Sequence, residues 1–385
     1  MYQVHYSLGL DIDKSSFKAC LKAKEANSKG VVKATRTFSN NLQGFKELDQ
    51  WIKKHKKLPD TQFKVIMEAT GVYHEYLAWH LYEQKYLVHI VLPLRAKRYM
   101  QSLGLKSKND KIDAHGLADM AMQQELEPWK PCSKNLLLLR SLTRQLEMLQ
   151  ESRTIFRNQL ESVTHLAICD KMVVKNLKSL IRTIEKDIKK LKERVAQFVK
   201  EDPVLSNKYK LVEPIKGLGL LTFATVAAET GGFELFENQK QLVSYAGYDV
   251  VENQSGTHVG KTRISKKGNT HIRRIMFMSA FNMVTYKVSP FLQLYDRIYG
   301  RTKIKMKAYV AIQRKLLCLI YALWKNDSPY NPEYQTKNPS GNHDPKPLFS
   351  VGPTGPGTKV ATGYAVATLD GLPCNQSPEA LFSVT

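Results

Sequence analysis

Apolar residues alternate along Val4–Asp11, which predicts a strand; Phe17–Lys24 reads as a second and Gly30–Phe38, rich in Val and Thr, as a third. Asp13-Lys14-Ser15-Ser16 reads as the turn between the first two strands. The period then lengthens. Leu42, Phe45, Leu48 and Ile52 form one helical stripe, with Asn40 or Asn41 placed to cap it. Phe63–Glu68 (FKVIME) predicts a fourth strand, Val72–Glu83 a helix, Leu87–Leu92 a fifth strand and Leu94–Ser102 a helix. Gly104–Asn109 is a basic loop, after which Lys111–Gln124 returns to helical spacing. Strands joined by short turns imply an antiparallel meander, and strands reached through helices imply parallel crossovers. The N-terminal part is therefore expected to be α/β, with a mixed sheet in the order of the ribonuclease-H-like fold.

Residues 134–200 change character. Leu177, Leu180, Ile184, Ile188, Leu191, Val195 and Phe198 recur at three- and four-residue steps between charged positions, a heptad seam on a long helix. A preceding helix, Leu136–Val163, fits equally as its antiparallel partner in a coiled-coil hairpin or as a dimer contact. From Leu211 the pattern is globular and mainly helical. VEPIKGLGLLTFATVAAE sets Gly-Leu-Gly between apolar helical flanks, like a helix-hairpin-helix element whose backbone N–H groups cradle phosphate, although a plain helix–helix turn also fits. Lys303–Lys325 is an amphipathic helix with a basic start. NPSGNHDPKP and GPTGPG close the chain with segments unable to sustain helix or core strand. The expected division is 1–130 nuclease-like domain, 131–205 helical segment, 206–328 mainly helical C-terminal domain and 329–385 disordered Pro/Gly-rich tail without catalytic role.

Charge narrows the function. Lys and Arg total 58 against 35 acidic residues, a net charge of +23 over 385 residues. That excess favours a polyanionic partner, since neutralising phosphates releases counterions. The N-terminus lacks the pattern of a signal peptide and no apolar run is long enough for a bilayer, so no membrane is expected. Five scattered cysteines without CxxC spacing suit a reducing cytosol and exclude a zinc motif.

Two predicted strands end in carboxylates, Asp11 in LGLDID and Glu68 in VIMEATG, and Asp110 and Asp113 follow in KSKNDKIDAHG. A spacing of three puts the last two on one helix face. Four carboxylates meeting at one sheet edge would repel unless divalent cations lay between them. Each also has a structural reading. Asp11 can be a turn residue beside a functional Asp13, Glu68 a helix cap, and Asp110 an N-cap with Asp113 in the first turn; His115 reads as an assisting group or a plain helix residue.

LGLDIDKSS, MEATGVYH and KSKNDKIDAHGLA resemble the N-terminal DEDD domain of the insertion-sequence 110 transposase family, a domain similar to the RuvC resolvase fold. PIKGLGLLTFATVAAETGGFELFENQKQLVSYAGYDVVENQSGTHVGKTRISKKGNTHIRRIMFMSA resembles that family's C-terminal domain, including Gly268–Arg274. The resemblance runs from about residue 5 to 325, outside the tail. It implies a metal-binding tetrad of Asp11, Glu68, Asp110 and Asp113 holding Mg²⁺, or Mn²⁺ in its place. It also implies a nucleophilic serine in a Ser-Gly motif, here Ser255 in NQSG, with Ser244 in LVSYAG as the rival. Many members have Ser-Ser-Gly there; this chain has Gln254 before Ser255. Since Ser255 is distant in sequence from the tetrad, a composite site is expected.

Further implications are donor and target DNA as substrates, a structured bridge RNA that base-pairs with both, a homodimer or dimer of dimers, and a bacterial cytoplasm with the nucleoid as workplace. Six Lys or Arg crowd His258–Arg274: Lys261, Arg263, Lys266, Lys267, Arg273 and Arg274. With Lys106 and Lys108 they are the candidate nucleic-acid contacts, against the reading of a solvated basic face. Two other functions fit the residues: a metal-dependent junction-resolving nuclease without covalent intermediate, and a non-catalytic basic nucleic-acid-binding protein.

Overall fold

β1 (His5–Ile12), β2 (Ser16–Lys24) and β3 (Val31–Ser39) form the antiparallel meander that their short connections require. The computed structural model describes residues 5–24, 30–56, 63–69, 71–103, 110–252, 254–255, 258–260 and 262–331. The chain divides into two compact units between Pro131 and Cys132.

In the first unit, α1 (Leu42–His55) leads to β4 (Phe63–Glu68), α2 (Glu75–Glu83) to β5 (Leu87–Val91), and α3 (Pro93–Ser102) precedes α4 (Asp110–Gln123). The sheet order is β3-β2-β1-β4-β5, with β4 and β5 parallel to β1. This is the mixed sheet expected from the sequence. β4 reads as a nearly continuous apolar run because both of its faces are covered, while β1 alternates and turns Ser7 and Gly9 to the α4 side. On one face Leu8, Leu10, Val65 and Met67 pack with Phe45, Leu48 and Leu77 from α1 and α2. On the other, Ile66 and Val91 pack with Ala96, Leu117 and Met120 from α3 and α4. Asn41, rather than Asn40, caps α1, its Oδ1 accepting from the Gly44 N–H at 2.9 Å.

The second unit begins with α5 (Lys134–Thr164) and α6 (Lys171–Glu201), which pack on each other as a hairpin within the chain. The buried positions of α6 are Leu177, Ile181, Ile188, Val195 and Val199. Leu180, expected in the seam, is 46% exposed. An α-helix turns every 3.6 residues, so Ile181, four after Leu177 and seven before Ile188, keeps the stripe on one face.

Next come α7 (Pro203–Val212), α8 (Leu220–Thr230), α9 (Gln239–Tyr245) and four short strands: β6 (Val250–Val251), β7 (Gln254–Ser255), β8 (His258–Val259) and β9 (Arg263–Ile264). α10 (Thr270–Thr285), α11 (Ser289–Thr302) and α12 (Lys305–Asn326) complete it. Leu136, Leu139, Val195 and Val199 belong to the same core as Phe223, Phe233, Met276 and Leu316. The start of α5 and the end of α6 are therefore built into the C-terminal core. Among the described residues no helix is long and apolar enough to cross a membrane. The tail beyond residue 331, and Lys106, Lys108 and Lys261, lie outside the described residues.

Candidate active site

A missing side chain brings β1 and α4 together. A Cβ on Gly9 would lie 2.0 Å from the Ala114 carbonyl oxygen and 2.5 Å from the Ala118 nitrogen, so only glycine lets the helix backbone rest on the strand. Ser7, on the same face two residues earlier, donates its Oγ–H to the Ala118 carbonyl at 2.7 Å. Two strand residues advance about 6.6 Å and four helical residues about 6 Å, so the contacts march in step. Ser7 meets Ala118 and Gly9 meets Ala114. In that direction β1 runs on to Asp11 while α4 runs back to its first turn, which opens at Asp110 and holds Asp113.

β4 runs beside β1 with Gly9 next to Ile66 and Leu10 next to Met67. One residue further, Asp11 and Glu68 are neighbours at the C-terminal ends of parallel strands, the end of α/β sheets where ligands bind. Glu68 shares the face of Ile66, which packs with Leu117 and Met120 of α4. Asp11, Glu68 and Asp113 are each half-buried, and the Asp110 side chain lies outside the described residues. Among the described residues no three carboxylate, imidazole or thiolate groups form a ready-made cluster for a metal ion.

The neighbouring alternatives fall elsewhere. Asp13 is in the turn after β1, its N–H donating to the Ser16 carbonyl at 2.9 Å. α2 is preceded by His74 rather than by Glu68 as cap. His115 pairs with Asp119 at 3.3 Å, and buried Lys22 pairs with the same carboxylate at 2.5 Å. Burial and the Lys22 charge hold the His115 imidazole below its ordinary range, against the pull of Asp119.

In the second unit, four short strands between Val250 and Ile264 pair in two antiparallel couples, which make up a ribbon. β6 pairs with β9 (Val250 with Ile264) and, beyond it, β7 with β8 (Ser255 with His258). Ser255 is exposed near the tip, while Ser244 sits on α9, also exposed. The root of the ribbon is closed by two glycines. Gly247 adopts φ +74°, and a Cβ on Gly268 would meet the Tyr245 carbonyl at 2.4 Å and the Gly247 nitrogen at 2.5 Å. Backbone bonds from Ser265 N to Asp249 O (2.8 Å) and from Asn269 N to Tyr245 O (2.8 Å) stitch the two sides.

Beneath the root lies a buried polar cluster that sequence reasoning missed. Glu229 on α8 receives a bidentate guanidinium from Arg144 of α5 at 2.7 and 2.9 Å and the Asn269 Nδ2–H at 2.7 Å. Burial pushes the Glu229 carboxyl up, but Arg144 and Asn269 outweigh it and hold it below its ordinary value. Burial and the Glu229 charge push the Tyr245 hydroxyl up to about 12, so it stays protonated and donates to the Glu229 carbonyl at 2.8 Å. Asn269 also caps α10, its Oδ1 accepting from the Ile272 N–H. The signal was present: Glu229 is the sole carboxylate in the apolar run LLTFATVAAET, and such a charge needs a partner.

The basic candidates divide. Arg263, Lys266 and Lys267 are exposed around the ribbon. Arg273 donates to the Ala246 carbonyl at 2.9 Å, and Arg274 pairs with Glu147 at 2.6 Å and with Glu151. Further on, Gly217 takes φ +89° in the turn before α8, and space is open around Gly219, the N-terminal cap residue of that helix.

Comparison with known proteins adds the following. A transposase family model of the DEDD type matches residues 8–167, and the model of the IS116/IS110/IS902 transposase family matches residues 209–296. The pilin gene-inverting protein of Moraxella bovis is 31% identical over 326 residues, covering 84% of this chain and 97% of that protein. A probable family 20 transposase of Pseudomonas aeruginosa is 21% identical over 70% of this chain and 86% of its own length. Among solved structures, Thermus thermophilus RuvC is a weak likeness, with TM-score 0.25 and 14% identity over 32% of this chain and 99% of that one.

Proposed function

The chain belongs to the IS116/IS110/IS902 family of transposases and is a DNA-recombining enzyme; from that premise we propose that it cuts and rejoins DNA strands with a carboxylate centre in its first unit and Ser255 in its second. The observation that carries the first half is the close approach at Gly9, which sets Asp11, Glu68 and the first turn of α4 at one end of the sheet. Asp11, Glu68, Asp113 and Asp110 would hold the cations. Their all-oxygen donors suit Mg²⁺ or Mn²⁺, which when bound polarise a phosphate and neutralise charge on its oxygens.

Ser255 is exposed on a ribbon with a rigid root, as a group that must reach a DNA backbone requires. Its Oγ–P bond forms as the P–O3′ bond breaks. The serine proton is lost, and the departing oxygen ends as a free 3′-hydroxyl. The phosphoserine link conserves the bond for rejoining to another strand. Arg263, Lys266 and Lys267, with Lys261, Lys106 and Lys108, hold the backbone, and Arg273 and Arg274 anchor the ribbon and α10 behind them. The α7–α8 turn, read as a helix-hairpin-helix-like element, offers a further phosphate contact. Sequence choice is left to a bridge RNA paired with donor and target, which suits a protein whose cations meet backbone. The active species is a homodimer or dimer of dimers, working on the nucleoid in a bacterial cytoplasm. The Moraxella relative's name favours a second outcome of the same chemistry: exchange between two sites on one molecule inverts the segment between them.

Strand cleavage is the experiment. Asp11→Asn removes a ligand charge at nearly constant volume, so cleavage falls on the order of a hundredfold or more. DNA binding and melting temperature stay at wild-type values. A variant that cuts at the wild-type rate would contradict the carboxylate assignment. The ribbon's cations are tested by salt. Replacing Arg263, Lys266 and Lys267 together with alanine reduces the slope of log affinity against log salt by about 2.7, at roughly 0.9 per phosphate contact. An unchanged slope in anisotropy titrations would place these side chains away from the backbone.

A further inference from the structure

The end of the sheet that carries Asp11 and Glu68 also bears a groove of about 490 Å³. Its lining includes Lys14, Asn41, Leu42, Tyr73, Glu75 and Tyr76. We propose that this groove holds an unpaired base of the DNA strand being cut, stacked against Tyr73 and Tyr76. The proposal rests on the assignment of Asp11 and Glu68 to the cutting centre.

Position is the first argument. Lys14 follows Asp11 by three residues, and Val72, Tyr73 and Tyr76 follow Glu68 by four to eight. Part of the wall is thus built from the segments that leave the strand ends carrying the two carboxylates, and the rest from the segment after β3 and the start of α1. The carboxylates face α4 and the groove lies on the α1–α2 side.

Rigidity is the second. Asn40 donates its Nδ2–H groups to the Asp13 carbonyl at 2.9 Å and the Tyr73 carbonyl at 3.1 Å, tying the segment after β1 to the segment after β4. The cleft exists before anything binds, so little ordering is needed on binding.

Chemistry is the third. Tyr76 is 77% exposed, Leu42 67%, Val72 61% and Tyr73 41%, a concentration of apolar surface on a chain of charge +23. A nucleotide offers a flat base for the rings, a polar base edge for Asn41, and a phosphate for Lys14. Glu75 repels phosphate but accepts from the exocyclic amino group of a base. Stacking on aromatic side chains offsets the cost of taking a base out of its stack.

The test is binding by the full chain, in chelator, of a single-stranded DNA oligonucleotide carrying a fluorescent adenine analogue that is quenched on stacking. Wild type quenches it. Tyr76→Ala and Tyr73→Ala weaken binding between about fivefold and a hundredfold and lose the quenching, while Tyr76→Phe keeps both. Tyr76 is exposed enough that its variants melt with wild type. The same loss with DNA, whether or not an RNA oligonucleotide of equal sequence shows it too, is the expected result. Unchanged quenching in both alanine variants overturns the proposal, as does a loss confined to RNA, which would make the groove a guide-strand site. No cutting is read, so failure of the carboxylate assignment shows separately in the cleavage assay.

Discussion

Replacing Glu229 with alanine lowers the stability of the second unit by about 3–5 kcal/mol, the range for removing one partner of a buried ion pair. The size follows from what is left behind. Arg144 loses both of its bonds at 2.7 and 2.9 Å, and the buried Asn269 amide loses its acceptor. Three helices, α5, α8 and α10, lose a shared anchor. Glu229→Gln keeps an acceptor for both donors but loses the charge, so it falls between alanine and wild type. Urea unfolding followed by circular dichroism measures this. An alanine variant within about 1 kcal/mol of wild type would mean the cluster is not held as described.

The same pair fixes a pH dependence. Burial alone would raise the Glu229 pKa, but Arg144 and Asn269 bring it below the ordinary 4.5. A depressed carboxylate contributes stability that is complete above its unfolded value. That contribution is lost as pH falls below 4.5 through the folded value. In Glu229→Gln the acid side of the stability profile is correspondingly flatter. Below the ribbon the cluster has a mechanical role as well. Asn269 and Tyr245, each hydrogen-bonded to Glu229, are also joined backbone to backbone at the ribbon's root.

The first unit was largely legible because its signals are periodic. Short runs of apolar and β-branched residues, alternating in β1, located each of the five strands to within a residue or two, and the change from turns to helical connections gave the parallel and antiparallel pairing. α2 begins at Glu75, three residues later than its apolar pattern suggested, because Gly71 at φ +53° turns the chain first. The strand-end carboxylates were visible as residues. Their common face became an argument only through Gly9, whose place in an apolar strand signals close backbone approach without saying to what.

The second unit was read less completely for physical reasons. Two-residue strands such as β7 and β8 are too short to show a period, so the ribbon under Ser255 left no trace in the pattern. Arg273 and Arg274 are chemically the same as Arg263, and composition alone does not reveal that their charges are spent on Ala246, Glu147 and Glu151. The choice of Ile181 over Leu180 in α6 depends on the face its neighbour covers, which heptad spacing leaves open by one residue.

Ser255 carries the second large effect. Without its hydroxyl there is no nucleophile to take the phosphate, so Ser255→Ala abolishes both the covalent intermediate and strand joining. Its exposure keeps folding and DNA binding intact. Ser244→Ala, on the exposed face of α9, serves as the control and remains active. A hydrolytic nuclease using the same carboxylates would cut without either serine, and a non-catalytic binding protein would not cut at all.

Covalent trapping separates these. Purified protein, labelled donor DNA and the RNA transcribed beside it are incubated with Mg²⁺ and resolved on a denaturing gel, for wild type, Ser255→Ala and Asp11→Asn. A labelled protein–DNA band in wild type, absent from both variants, is the predicted result. Cleavage with no such band, surviving Ser255→Ala and lost in Asp11→Asn, would contradict the serine mechanism and leave a hydrolytic nuclease in its place.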